Sequence, residues 1–168
     1  MKERFSTKKI VITAMFASLA CVATMIIKIP SPLKGYINIG DCVVLLSGYA
    51  LSPVCAFIAA GLGSALADLF SGYAVYVPAT FVIKGLMALV VCYGCRLSHK
   101  KVGKSILCIL SALLAELIMA AGYLTFEGFL YGFAASAVNI PANCVQGAAG
   151  FILGLVLIKI FEKSKISF

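Results

Sequence analysis

The sequence has no tryptophan, one histidine and six acidic residues in 168. Only 12% of it is charged, against about a quarter of an ordinary soluble domain. That shortage excludes a cytosolic globule, and the lack of charge also excludes disorder. No GxxxxGK[ST] run occurs, so no phosphate-cradling ATPase loop is expected. The single His99 and the absence of HExxH leave no histidine pair for a catalytic metal.

What fills the chain is apolar: 62% of its residues are hydrophobic. A membrane-crossing helix takes about 20 mostly apolar residues, so six helices with short loops use nearly the whole chain. The expectation is an all-α integral membrane protein, one six-helix domain over residues 1–168. The predicted spans are 9–29, 41–51, 53–70, 79–95, 105–124 and 138–161. The second is short, and so is tilted or crosses only partly. Pro30-Ser31-Pro32 stops the first span, Pro53 opens the third, and Pro141 starts or kinks the last. The N-terminus is basic then apolar, as in a secretion signal. The run from Ile10 to Ile29 is long for one and lacks a small-residue cleavage site, so it reads as a retained span.

Seven cysteines do not make a disulfide scaffold. Cys21, Cys42, Cys55, Cys108 and Cys144 lie in apolar runs and read as small hydrophobes. Cys92 and Cys95 form a CxxC, but no second pair or suitably spaced histidine completes a zinc site, so no metal is expected.

The net charge is +8, and its distribution excludes nucleic acid as the partner. Eleven of the 14 basic residues form three clusters: Lys2, Arg4, Lys8 and Lys9; Arg96, Lys100, Lys101 and Lys104; Lys159, Lys163 and Lys165. By the positive-inside rule all three flank the cytoplasm. Four crossings separate the first two clusters and two separate the last two, which agrees with six spans and both termini inside. His99 then reads as a cytoplasmic flank residue.

On this topology the polar groups gather at the outer side. Asp41 opens the second span, Asp68 closes the third, and Lys84 lies about two turns into the fourth. Glu116 lies in the outer half of the fifth, Glu127 lies beyond its end, and Asn139, Asn143 and Gln146 begin the sixth. Ionisable groups at membrane depth face protein or a water-filled cavity, so the pattern predicts one polar pocket open to the outside.

Two readings stand for each candidate. Glu116 contacts substrate or pairs with Lys84. Lys84 binds an anionic group or neutralises Asp68 or Glu116. Asn143 and Gln146, three apart on one helix face, hold a heteroaromatic ring or bond between helices. Tyr36, Tyr73, Tyr76 and Tyr123 stack on a ring, gate the pocket, or form an interfacial belt. Asp41 and Asp68 join the pocket or cap and staple loops, and for Asp41, at a helix start, capping is the better reading.

Small residues repeat at four-residue spacing: Thr13, Ala17 and Cys21 in the first span, Ala56, Ala60 and Ser64 in the third. Such stripes let helices approach closely in lipid. They serve internal packing or an exposed docking face.

Several pieces in order resemble one family. They are Gly35-Tyr36-Ile37-Asn38-Ile39-Gly40-Asp41, Gly61 to Asp68, Gly72-Tyr73, Pro78-Ala79-Thr80 and Ile83-Lys84-Gly85, then Glu116, Gly122-Tyr123, Glu127 and Pro141 to Gly147. The set resembles the substrate-binding S components of energy-coupling factor (ECF) vitamin transporters, in the riboflavin-type group with its pyridoxine and hydroxymethylpyrimidine members. The resemblance implies a six-helix subunit in a prokaryotic plasma membrane, without catalytic residues or a cofactor. It implies a small vitamin taken from outside, a membrane coupling subunit, and two ATPase subunits supplying the energy. The implied ligand contacts are Tyr36, Asn38, Asp68, Tyr73, Tyr76, Lys84, Glu116, Tyr123, Asn143 and Gln146. The implied docking stripe is Thr13, Ala17, Cys21, Ala56, Ala60 and Ser64, with Thr and Cys where the family has alanine. The Asp-x-x-Asp associated with riboflavin members is absent, Asn38 and Asp41 standing there instead. With no tryptophan to stack a large flavin, a smaller ring such as pyridoxine or a hydroxymethylpyrimidine is favoured over riboflavin or another vitamin. A small intramembrane enzyme is disfavoured by the scattered acids, and an autonomous channel by the one-sided pocket.

Overall fold

The computed structural model describes residues 6–31, 35–97 and 101–164, the side chains of 101–104 excepted. Lys2, Arg4, Lys34, His99, Lys100 and Lys165 fall outside what is described. The helices are α1 (Thr7–Ile26), α2 (Asp41–Ala50), α3 (Pro53–Phe70), α4 (Val77–Gly94), α5 (Lys101–Tyr131), the one-turn α6 (Phe133–Ser136) and α7 (Ile140–Lys163). Between α1 and α2 a small antiparallel hairpin pairs β1 (Ile29–Pro30) with β2 (Tyr36–Ile37).

Local chemistry sets these boundaries. The Ser6 hydroxyl caps α1 by accepting from the Lys9 backbone N–H at 3.3 Å. Proline stands in the first turn of α3, α4 and α7. Pro141 therefore starts the last helix rather than kinking it. The first span closes at Ile26 rather than residue 29 because Ile29 and Pro30 pair with the hairpin's return strand. The fifth runs to Tyr131 rather than 124. What stops it is Gly132, whose φ of +90° suits glycine. Glu127, expected in a connection, is thus on a helix.

Among the described residues, five helical segments are long and apolar enough to cross a membrane. Their lipid-directed faces carry exposed Leu, Ile, Val and Phe side chains. α2 differs, since its ten residues rise only about 15 Å. Every residue from Asp41 to Gly48 is buried, because α2 packs against α7, α4, α3 and α1. A helix enclosed by protein need not match the bilayer.

The two ends of the bundle differ. One end gathers Lys9, Leu51, Arg96 and Glu162. There Arg96 Nη2 donates to the Leu51 carbonyl at 2.6 Å, and the Tyr49 hydroxyl donates to Glu162 at 2.7 Å. The other end carries the hairpin and the polar groups.

Two expectations change here. Cys108 is not simply a small hydrophobe: it forms a disulfide with Cys95, joining the end of α4 to α5. Apolar flanks hide this pairing in the sequence. The small-residue stripe does not form an exposed face: Thr13, Ala17, Ala56, Ala60 and Ser64 are buried and Cys21 is half-buried. A Cβ on Gly63 would stand 2.3 Å from the Ala17 carbonyl oxygen. The small side chains draw α1 and α3 together and so bury themselves.

Candidate functional site

At the hairpin end a polar cleft opens between β2, the end of α3, the segment that leads from α3 to α4, α5 and α7. Tyr36, Asn38, Asp68, Tyr73, Tyr76, Tyr123, Asn143 and Gln146 line it, with Ser31, Gly35, Ile37 and Ala142. Eight of the ten ligand contacts expected from the sequence therefore meet in one place. The other two, Lys84 and Glu116, lie deeper and are not on its wall. The space open to water centres is about 40 Å³, room for a water or two.

One wall is a chain of hydroxyls ending on a carboxylate. Tyr36 donates to Asp68 Oδ1 at 2.6 Å, and Thr80 donates to Asp68 Oδ2 at 2.5 Å. Tyr123 Oη is 3.0 Å from Thr80 Oγ1. The single Thr80 proton is already given to Asp68, so Tyr123 is the donor in that contact. Burial, with the Asp68 carboxylate beside it, pushes the Tyr36 phenol up, so it stays protonated and donates. These bonds tie the hairpin, the end of α3, the start of α4 and α5 together.

Aromatic rings close the mouth. Tyr36 and Tyr73 lie 5.0 Å apart, Tyr73 and Tyr76 6.2 Å, and Tyr76 and Tyr123 6.5 Å, all tilted or edge-on. Behind them Glu127 is buried, accepting from Tyr76 at 3.1 Å and from Asn139 at 3.0 Å on both oxygens. Glu127 thus holds Tyr76 in place rather than facing an outer loop.

Gln146 forms the floor. Its Oε1 accepts from the Asn38 backbone N–H at 3.1 Å and from Asn38 Nδ2 at 3.3 Å. Its Nε2 donates to Asp41 Oδ2 at 2.8 Å. The other Asp41 oxygen accepts from Lys84, a fully buried ion pair. Lys84 therefore pairs with neither Asp68 nor Glu116, and its ammonium also lies 5.5 Å from the Tyr123 ring centre. Asp41 supplies no cap, since Gly40 occupies that position. Its charge instead sits in the first turn of α2, where the helix dipole favours it. A buried lysine demands a carboxylate, but that Asp41 is the one shows only once α2 is seen to be buried. Sequence alone marks Thr80 only as part of Pro78-Ala79-Thr80 and gives it no role, because one hydroxyl in an apolar run carries little signal.

Asn143 is the exception in this tied network. It is half-buried on the cleft wall, and its amide makes no hydrogen bond among the described residues. It is a donor and an acceptor facing the space.

The fold and cleft define a class: an all-helical, multi-pass membrane protein with a polar cleft at one end of its bundle. The model of the ECF-type riboflavin transporter S component family matches residues 4–163, and the chain belongs to that family. It is a substrate-binding transport subunit of vitamin uptake rather than an enzyme. The thiamine precursor transporter HmpT of Lactococcus lactis subsp. cremoris (strain MG1363) is 26% identical over 168 residues, 99% of this chain and 95% of its own. An uncharacterised protein of Pyrococcus woesei is 32% identical over 134 residues, 79% of this chain and 87% of its own. The fold matches a solved S component of a bacterial ECF transporter with a TM-score of 0.68 at 22% identity, covering 95% of this chain and 98% of that one.

Proposed function

We propose that this S component captures a single-ring vitamin precursor of the hydroxymethylpyrimidine or pyridoxine type from outside a prokaryotic cell. The observation that carries this reading is the cleft itself. It offers tilted phenol rings, a free Asn143 amide and an amide floor, with no tryptophan. A small neutral heteroaromatic ring suits such a lining better than a flavin does. The likeness to a thiamine precursor transporter supports it. Riboflavin is the second reading, favoured by the description of the matching family.

In this reading both termini lie in the cytoplasm, placed there by the basic clusters. The protein has no cofactor and binds no metal. A membrane coupling subunit and two ATPases complete the transporter, as the family implies. With the small-residue stripe buried, the coupling subunit would meet the exposed apolar face of α1 around Val11, Met15, Leu19 and Val22. Mass spectrometry of small molecules that copurify with the detergent-solubilised protein tests the substrate. A pyrimidine or pyridine vitamer is expected. A copurifying flavin, or no binding across a vitamin panel, would overturn it.

A further inference from the structure

Glu116 is 6% exposed, and neither of its carboxylate oxygens has a hydrogen-bond partner. An isolated carboxylate is costly to bury, and inside a membrane it is rare without a functional reason. The groups around it do not resolve the problem. Asp41 comes from α2 and Lys84 from α4, and their charges are spent on each other. From α5 comes Met119, and from α7 Gln146, whose Nε2 already serves Asp41. Two carboxyls therefore stand near one ammonium, and only Asp41 bonds to it.

α7 makes room for this head group. A Cβ on Gly147 would lie 3.6 Å from Glu116 Oε2, and one on Gly150 would lie 2.8 Å from Oε1. The same Gly150 Cβ would stand 2.6 Å from the Cβ of Asp41. Gln146, one residue before Gly147, is the cleft floor. The unpartnered carboxyl thus lies against α7 at Gly147 and Gly150, next along the helix from the floor residue Gln146.

We infer that Glu116 is the acceptor of an inner subsite, reached when Gln146 swings aside, and that it takes the amidine-type edge of an aminopyrimidine. This rests on the single-ring reading above and narrows it to rings with an amine beside a ring nitrogen. The exocyclic N–H donates to one Glu116 oxygen. One proton is shared between the ring nitrogen and the other oxygen. That proton offsets the second carboxyl charge, and both orphan oxygens gain partners. An oxo group in place of the amine makes the ring far less basic, and the ionic share of the pairing is lost.

The test uses two probes, 4-amino-5-hydroxymethyl-2-methylpyrimidine and its 4-oxo analogue, binding to the full chain in detergent or nanodiscs. The native protein should prefer the amino probe by at least about tenfold, as expected of a bond to a charged partner. Glu116→Gln should reduce this preference to about threefold or less, since an amide can turn to suit either edge. The loss should fall on the amino probe. Modification of native Glu116 by a hydrophobic carbodiimide, read by peptide mass, needs no variant. The amino probe should slow it and the oxo analogue should not. Equal affinities in the native protein, a preference kept by Glu116→Gln, or no protection of Glu116 would each overturn the subsite and leave the single-ring reading standing. Binding of neither pyrimidine, with tight binding of a flavin, would overturn both.

Discussion

The hairpin end and the α1–α3 seam hold helices together by opposite means. At the hairpin end each contact is a particular bond: Tyr36 and Thr80 to Asp68, Tyr76 and Asn139 to Glu127, Lys84 and Gln146 to Asp41. At the seam there are almost no bonds to name. Ala17, Ala20, Ala56, Ala60 and Gly63 bring the backbones together by having little side chain. Direction matters in the first region and size in the second. A membrane protein has no hydrophobic drive between helices in lipid. It can spare apolar close packing for one seam and use buried polar groups to fix the shape of the other.

That contrast can be broken from either side. The largest effect is expected from Lys84→Met, which leaves Asp41 buried without its cation. Removing one member of a buried pair costs about 3–5 kcal/mol. A steep fall in folded yield and melting temperature in detergent is expected. Adding Asp41→Asn should recover part of it, because no unpaired charge remains. A melting temperature unchanged by Lys84→Met would show that the pair is not structural.

Next comes Gly63→Ala at the seam. The new methyl meets the backbone carbonyl of Ala17, which cannot turn away. Overpacking of this kind costs about 1–3 kcal/mol. Thermal unfolding should record the loss, while ligand affinity of the folded protein stays as it was. A change in affinity would mean that the seam and the cleft are coupled.

The smallest effect on stability belongs to Asn143→Ala. Its amide bonds to nothing among the described residues, so the melting temperature should move by no more than about 0.5 kcal/mol implies. Ligand affinity should fall about three- to tenfold, as for one lost hydrogen bond. Together these variants separate groups that hold the cleft from groups that face into it.

Much of this was legible in advance for a physical reason. Apolar runs long enough to cross lipid are hard to mistake, and prolines at 53 and 141 mark helix starts. Charge asymmetry separated the two ends of the bundle. The polar minority at one end pointed to the cleft, because burying such groups apart from one another would be costly. What the chain order hides is pairing. Asp68 and Glu116 were the carboxylates expected for Lys84, and tertiary packing selects a third, Asp41. Glu127 looked like a loop residue until Gly132, not Leu124, proved to end the helix. Small-residue stripes read the same whether the partner helix lies in the same chain or another. Gly63 facing Ala17 decides that here.

The brevity of α2 has one more consequence. A second crossing built as a full-length helix would fill with backbone the volume where the tyrosines and Asn38 now stand. By starting α2 at Asp41 and bringing the chain there through a hairpin, the protein leaves the cleft open between that hairpin and the surrounding helices. The shortened helix and the cleft are one decision. Lengthening α2 toward the hairpin would fill the chamber before it touched the scaffold.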